Sequence, residues 1–77
     1  MNVKVYSTPT CPYCRRVKEF LKENNVSFED IDVSLSQEAA QKMVEKSGQM
    51  GVPVIMVDDN VIIGFNREKL SKFLNIK

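Results

Sequence analysis

The chain contains no histidine and only two cysteines among its 77 residues. A structural zinc site takes about four Cys or His ligands, so one chain of this composition cannot build it, and no resident metal is expected. Charge of one sign is also missing, since 11 Lys and Arg stand against 10 Asp and Glu for a net of +1. Without a concentrated basic stripe, nucleic acid is not an expected partner. No apolar run approaches the roughly 20 residues that cross a bilayer. Met1 leads directly into alternating Val3-Lys4-Val5-Tyr6, with no basic leader, apolar segment and cleavage site. Repeats, low-complexity tracts and linkers are absent too. The expectation is one small domain over residues 1–77, soluble, cytoplasmic, monomeric and independent of membranes.

What the chain does have is both cysteines in one tetrapeptide, Cys11-Pro12-Tyr13-Cys14. A disulfide stabilises mainly by restricting the unfolded chain, and closing so short a loop restricts little. Stable disulfides are uncommon in a cytosolic protein, so the close pair points to redox chemistry rather than stapling.

The pattern around it reads as strand, loop and helix. Val3 to Tyr6 alternates, Ser7-Thr8-Pro9-Thr10 interrupts, and Val17, Phe20 and Leu21 follow at helical spacing until Asn24-Asn25. A second strand is placed at Phe28 to Val33, although Glu29, Asp30 and Asp32 make its alternation irregular. Ser36 suits the N-cap of a helix through Lys46, with Ala39, Ala40, Met43 and Val44 as its apolar stripe and Gly48 as its stop. Val54 to Val57 and Val61 to Ile63 flank Asp58-Asp59-Asn60 as a hairpin. Asn66 opens the last helix, with Phe65 before it and Leu70, Phe73 and Leu74 facing the core. The order is β-α-β-α-β-β-α, an α/β fold with helices on both sheet faces. A C-x-x-C where the first strand passes into its helix is a thioredoxin-like redox signature.

The thiolate, not the thiol, attacks disulfides, and an unperturbed Cys is mostly protonated at neutral pH. Cys11 stands at the N-cap, with Pro12 at the first helical position, where its fixed φ fits and its missing N–H costs nothing. The amides of Tyr13 and Cys14 can then point at the Cys11 sulfur. With the helix dipole and the charges of Arg15, Arg16 and Lys18, they are expected to favour the anion. Cys14, one turn in, is expected to be less exposed. Cys11 would attack and Cys14 would resolve the mixed disulfide. Both are the candidate catalytic residues, in an active-site loop with Thr10, Pro12 and Tyr13.

The segments C-P-Y-C at Cys11 to Cys14, G-V-P at Gly51 to Pro53 and I-G-F-N at Ile63 to Asn66 resemble the glutaredoxin family along essentially the whole chain. The resemblance implies a thioredoxin fold with a four-stranded mixed sheet, and a cis Val52-Pro53 bond opposite Cys11. It implies disulfide-containing proteins as partners and glutathione as co-substrate, held by Tyr13, Val52, Pro53, Gly64, Phe65 and Asn66. Val52 would offer its backbone to an extended substrate.

Two glutathione aids of that family are altered. Thr8 stands where a basic residue is usual, and Ile63 and Asn66 replace a glycine and an acid around Gly64. Asn66 lacks the charge to pair with an ammonium. The stretch G-F-N-R-E-K-L also resembles redoxins that serve ribonucleotide reductase and draw electrons from thioredoxin reductase, although those usually lack Pro-Tyr between their cysteines. The expectation is a dithiol glutaredoxin with weak glutathione recognition, with the redoxin as the alternative. An iron–sulfur carrier, bridging two chains through Cys11 and glutathione, is a further alternative that Pro12 disfavours.

Overall fold

The computed structural model describes residues 2–75. Its elements run β1 Val3–Ser7, α1 Pro12–Glu23, β2 Glu29–Asp32, α2 Gln37–Ser47, β3 Val54–Val57, β4 Asn60–Ile63 and α3 Arg67–Leu74. The strands form one sheet in the order β2-β1-β3-β4. β1 and β2 are parallel, whereas β1–β3 and β3–β4 are antiparallel. This is the thioredoxin fold, with the predicted element order.

Each helix starts and stops for a local reason. The Cys11 side chain caps α1 and Pro12 follows it. Ser36 Oγ accepts the Ala39 N–H at 3.1 Å to cap α2, and Gly48 ends it at φ 76° with its N–H on the Val44 carbonyl. Asn66 Oδ1 accepts the Lys69 N–H at 3.1 Å to open α3.

The period-two alternation of the central strands sends side chains to two cores. Val3, Val5, Ile55, Val57 and Ile62 meet Val17, Phe20 and Leu21 of α1 and Leu70 and Leu74 of α3. On the opposite face, Tyr6 and Val54 meet Met43 of α2. α1 and α3 therefore share one face, and α2 covers the other.

Several boundaries differ from the sequence reading. Ser7, read as the break, ends β1 because it pairs with Asp32 and its carbonyl accepts the Val33 N–H. The second strand is Glu29–Asp32, shorter at both ends than Phe28 to Val33, because its ladder to β1 pairs only those residues. Asn60 belongs to β4, opposite Val57, which leaves a two-residue loop with Asp58 at φ 55°. α2 continues one residue past Lys46, to Ser47.

Candidate active site

β1 ends, β3 begins and β4 ends at the same edge of the molecule, a consequence of the parallel and antiparallel pairings above. The loops at that edge carry Thr8 to Cys11, Val52-Pro53 and Gly64 to Asn66.

Cys11 has extended backbone, φ −94° and ψ 112°, as an N-cap requires, and its sulfur accepts the Cys14 N–H at 3.1 Å. Of the two amides expected to face this sulfur, only that of Cys14 is bonded to it. An N-cap acceptor has its natural partner at the second or third helical residue, and here the third is used. The cysteines are joined as a disulfide with Cα atoms 5.2 Å apart. Their exposure is unequal: Cys14 is fully buried, whereas Cys11 is partly exposed. A partner disulfide therefore has access to Cys11, and Cys14 is confined to reacting with its neighbour.

The Val52-Pro53 bond is cis, and the Val52 carbonyl oxygen lies 3.9 Å from Cys11 Sγ. Val52 precedes the first ladder residue of β3, and among the described residues neither its N–H nor its C=O has a backbone partner. Pro53 is buried, and its carbonyl accepts the Gly64 N–H at 2.9 Å. That bond draws the end of β4 onto the Pro53 loop. Gly64 sits at φ 76°, and a Cβ there would meet nothing within 4 Å, so its backbone conformation rather than crowding favours glycine.

The remaining predicted site residues divide into rim and support. Thr10, Pro12 and Tyr13 are exposed, Tyr13 by 57%. The Arg16 guanidinium stands 5.4 Å from the Tyr13 ring centroid. Phe65 is half-buried and meets Phe20 edge to face, with centroids 6.0 Å apart, so it walls the site rather than opening it. Asn66 commits its side-chain oxygen to the α3 cap. Thr8 is partly buried and accepts the Cys11 N–H through its carbonyl at 3.4 Å.

Lys18, one of the cations expected near the sulfur, is engaged by a carboxylate of β2. Its Nζ pairs with Asp30 Oδ2 at 3.1 Å, and Asp30 Oδ1 accepts the hydroxyl of buried Ser7 at 2.8 Å. Burial alone would raise the Asp30 carboxyl. The Ser7 and Lys18 hydrogen bonds and the charges of Lys18 and Lys22 outweigh it and hold the group below its ordinary value. This link ties α1 to β1 and β2 beside the cysteine loop. Its sequence signal was the irregular acidic strand itself.

Among the described residues, no three His, Cys, Asp or Glu side chains cluster as a metal site. No helix is long and apolar enough to cross a membrane.

The glutaredoxin family model matches residues 3–62, most of the chain and all of the cysteine loop. The chain belongs to the glutaredoxin family. Among glutaredoxin relatives, it is 44% identical over 72 residues to an uncharacterised glutaredoxin-like 8.6 kDa protein in the rubredoxin operon of Clostridium pasteurianum, covering 94% of this chain and 96% of that one. It is 36% identical over 63 residues to glutaredoxin 3 of Escherichia coli K12, covering 82% and 76%. It is also 36% identical over 70 residues to the glutaredoxin-like protein NrdH of Lactococcus lactis, covering 91% and 96%. Among solved structures, a crystal structure of a mutant of the thioredoxin-like protein BC3987 superposes with a TM-score of 0.93 at 39% identity, covering 99% of this chain and 97% of that one. The protein is thus a thiol redox protein of the glutaredoxin and NrdH type, with Cys11 and Cys14 as its C-x-x-C pair.

Proposed function

We propose that the chain is a cytoplasmic, monomeric dithiol glutaredoxin that reduces protein disulfides and glutathione mixed disulfides. The observation that carries this reading is the pairing of a helix-capping, partly exposed Cys11 sulfur with the unpaired backbone of Val52 beside it. An extended substrate can hydrogen-bond to Val52 as a short added strand while its disulfide meets the sulfur.

Exchange then proceeds in two displacements. The Cys11 thiolate attacks one sulfur of the substrate disulfide, forming a mixed disulfide and expelling the other sulfur as a thiolate that takes a proton. Cys14 loses its proton and attacks Cys11 Sγ, releasing the second substrate thiol and leaving the Cys11–Cys14 disulfide. Two electrons restore the dithiol.

We assign those electrons to glutathione, with weak recognition. Val52, Pro53, Tyr13 and Gly64 are present for its backbone and thiol. Thr8 and Asn66 offer no charge for its termini. The likeness to a protein named NrdH favours a second reading, in which a thioredoxin reductase supplies the electrons and ribonucleotide reductase receives them. The G-F-N-R run after β4 supports the same alternative.

Steady-state reduction of a small disulfide, first with glutathione, glutathione reductase and NADPH and then with thioredoxin reductase and NADPH, tests the choice. Turnover in the first system is expected. Turnover only in the second would replace the first reading with the second, and turnover in neither would overturn both.

A further inference from the structure

The three arginines of the chain, Arg15, Arg16 and Arg67, all lie near the cysteine edge. Arg15 and Arg16 belong to the opening of α1, which has no acid in its first turn. Arg67 is the first residue of α3, where its charge opposes the helix dipole and costs stability rather than adding it. Aromatic faces hold two of these cations instead. Arg16 stands over Tyr13, and the Arg67 guanidinium lies 5.6 Å from the Phe20 centroid.

Arg16, Phe20 and Arg67 line one surface groove, with Phe65 as its wall and Glu19 and Glu23 as its other charges. Arg16 is about one turn beyond Cys11, whereas Glu19 and Glu23 lie roughly 5 and 10 Å further along α1. Among the described residues, the ion pairs are Lys18–Asp30 and Lys42–Glu38. Among the described residues no carboxylate therefore lies within ion-pair distance of Arg16 or Arg67, although two glutamates share their groove.

We propose that Arg16 and Arg67 form a carboxylate-receiving flank, which selects protein disulfides whose attacked cysteine has an Asp or Glu beside it. The proposal rests on the disulfide-exchange reading and names the class of protein substrate within it. Guanidinium groups stacked on rings keep their N–H forks free and pre-ordered, which suits a carboxylate arriving on an extended segment. Exposed charge pairs mainly raise association rates and set specificity, so the effect belongs in the encounter step.

The test is a single turnover, independent of reductant. Pre-reduced protein is mixed with disulfide peptides that differ only in Asp, Asn or Lys beside the attacked cysteine. Each rate is divided by that of dithiothreitol on the same peptide, which removes the effect of the neighbour on the leaving thiol. The expected normalised preference for Asp over Lys is about tenfold at low salt. It should fall below about twofold near 1 M salt, where the screening length is ~3 Å. Arg67→Gln should reduce the preference about threefold, and Arg67→Glu should reverse it.

Equal normalised rates for the Asp and Lys peptides, with bis(2-hydroxyethyl) disulfide still reduced, would overturn the flank and leave exchange standing. So would an Arg67→Gln protein that slows this uncharged disulfide as much as the Asp peptide. Faster reaction with a glutathione mixed disulfide, and no discrimination among the peptides, would move the flank to glutathione and overturn the protein-substrate assignment. Failure to reduce any disulfide would overturn exchange and flank together. The salt dependence of the wild-type protein carries the test if a variant does not fold.

Discussion

Replacing Asp30 with alanine removes an acceptor that Ser7 and Lys18 share. Ser7 is 2% exposed and donates to Asp30 at 2.8 Å, so its hydroxyl has little water to turn to when the carboxylate is gone. A buried hydroxyl left without a partner costs about 1–3 kcal/mol. The Lys18–Asp30 pair retains 24% and 46% of its side-chain exposure, so solvent screening limits its share to ~0.2–1 kcal/mol. Together the loss should be about 2 kcal/mol, which for a domain of this size lowers Tm by roughly 8–16 °C. Asp30→Asn keeps an oxygen for Ser7 and loses the charge, so it should cost only about 0.5 kcal/mol. The pH dependence has a definite sign. A carboxyl whose folded value is lowered contributes stability above its unfolded value, ordinarily about 3.9, and that contribution fades as pH falls through the folded value. The wild type and Asp30→Asn should therefore converge in acid. Urea unfolding at neutral pH and below about pH 4 reads both effects. Equal losses for the alanine and asparagine variants, or a gap unchanged in acid, would refute the assignment of a buried Ser7 bond and a charged Lys18 pair.

Cys14→Ser should retain reduction of glutathione mixed disulfides, which needs only the attacking sulfur, and lose most reduction of protein disulfides; assays on the two substrate types side by side would show equal loss if the assigned roles are wrong. Leu21→Ala, at a fully buried position between α1 and the sheet, should cost about 2–5 kcal/mol, a large part of the total stability of a small domain, and a denaturant midpoint that barely moves would contradict the packing described. Ser36→Ala should cost about 1 kcal/mol through loss of the α2 cap while leaving the exchange rate intact. A slowed rate would show that α2 reaches the cysteine site.

Features with local causes could be read from the chain before folding. The caps at Cys11, Ser36 and Asn66, the stop at Gly48 and the spacing of Val17, Phe20 and Leu21 each depend on a few neighbouring residues, and all stand where the pattern put them. The cysteine asymmetry followed from the same logic, because helix position alone set which sulfur would be covered. Features made by residues far apart in sequence were hidden. β2 looked irregular because Asp30 spends its carboxylate on Ser7 and Lys18, partners 23 and 12 residues away. Lys18 therefore read as a charge near the sulfur, and its pairing with β2 was hidden. Arg67 carried no local signal at all, since only the packing of α3 against α1 brings it over Phe20.

The account depends on the Cys11 sulfur being held as an anion by the amide that opens α1. The most direct measurement is the pH dependence of alkylation of Cys11 in the reduced Cys14→Ser protein. The rate should reach its plateau well below the pH at which free cysteine ionises, about 8.5. A profile that follows free cysteine would contradict the account.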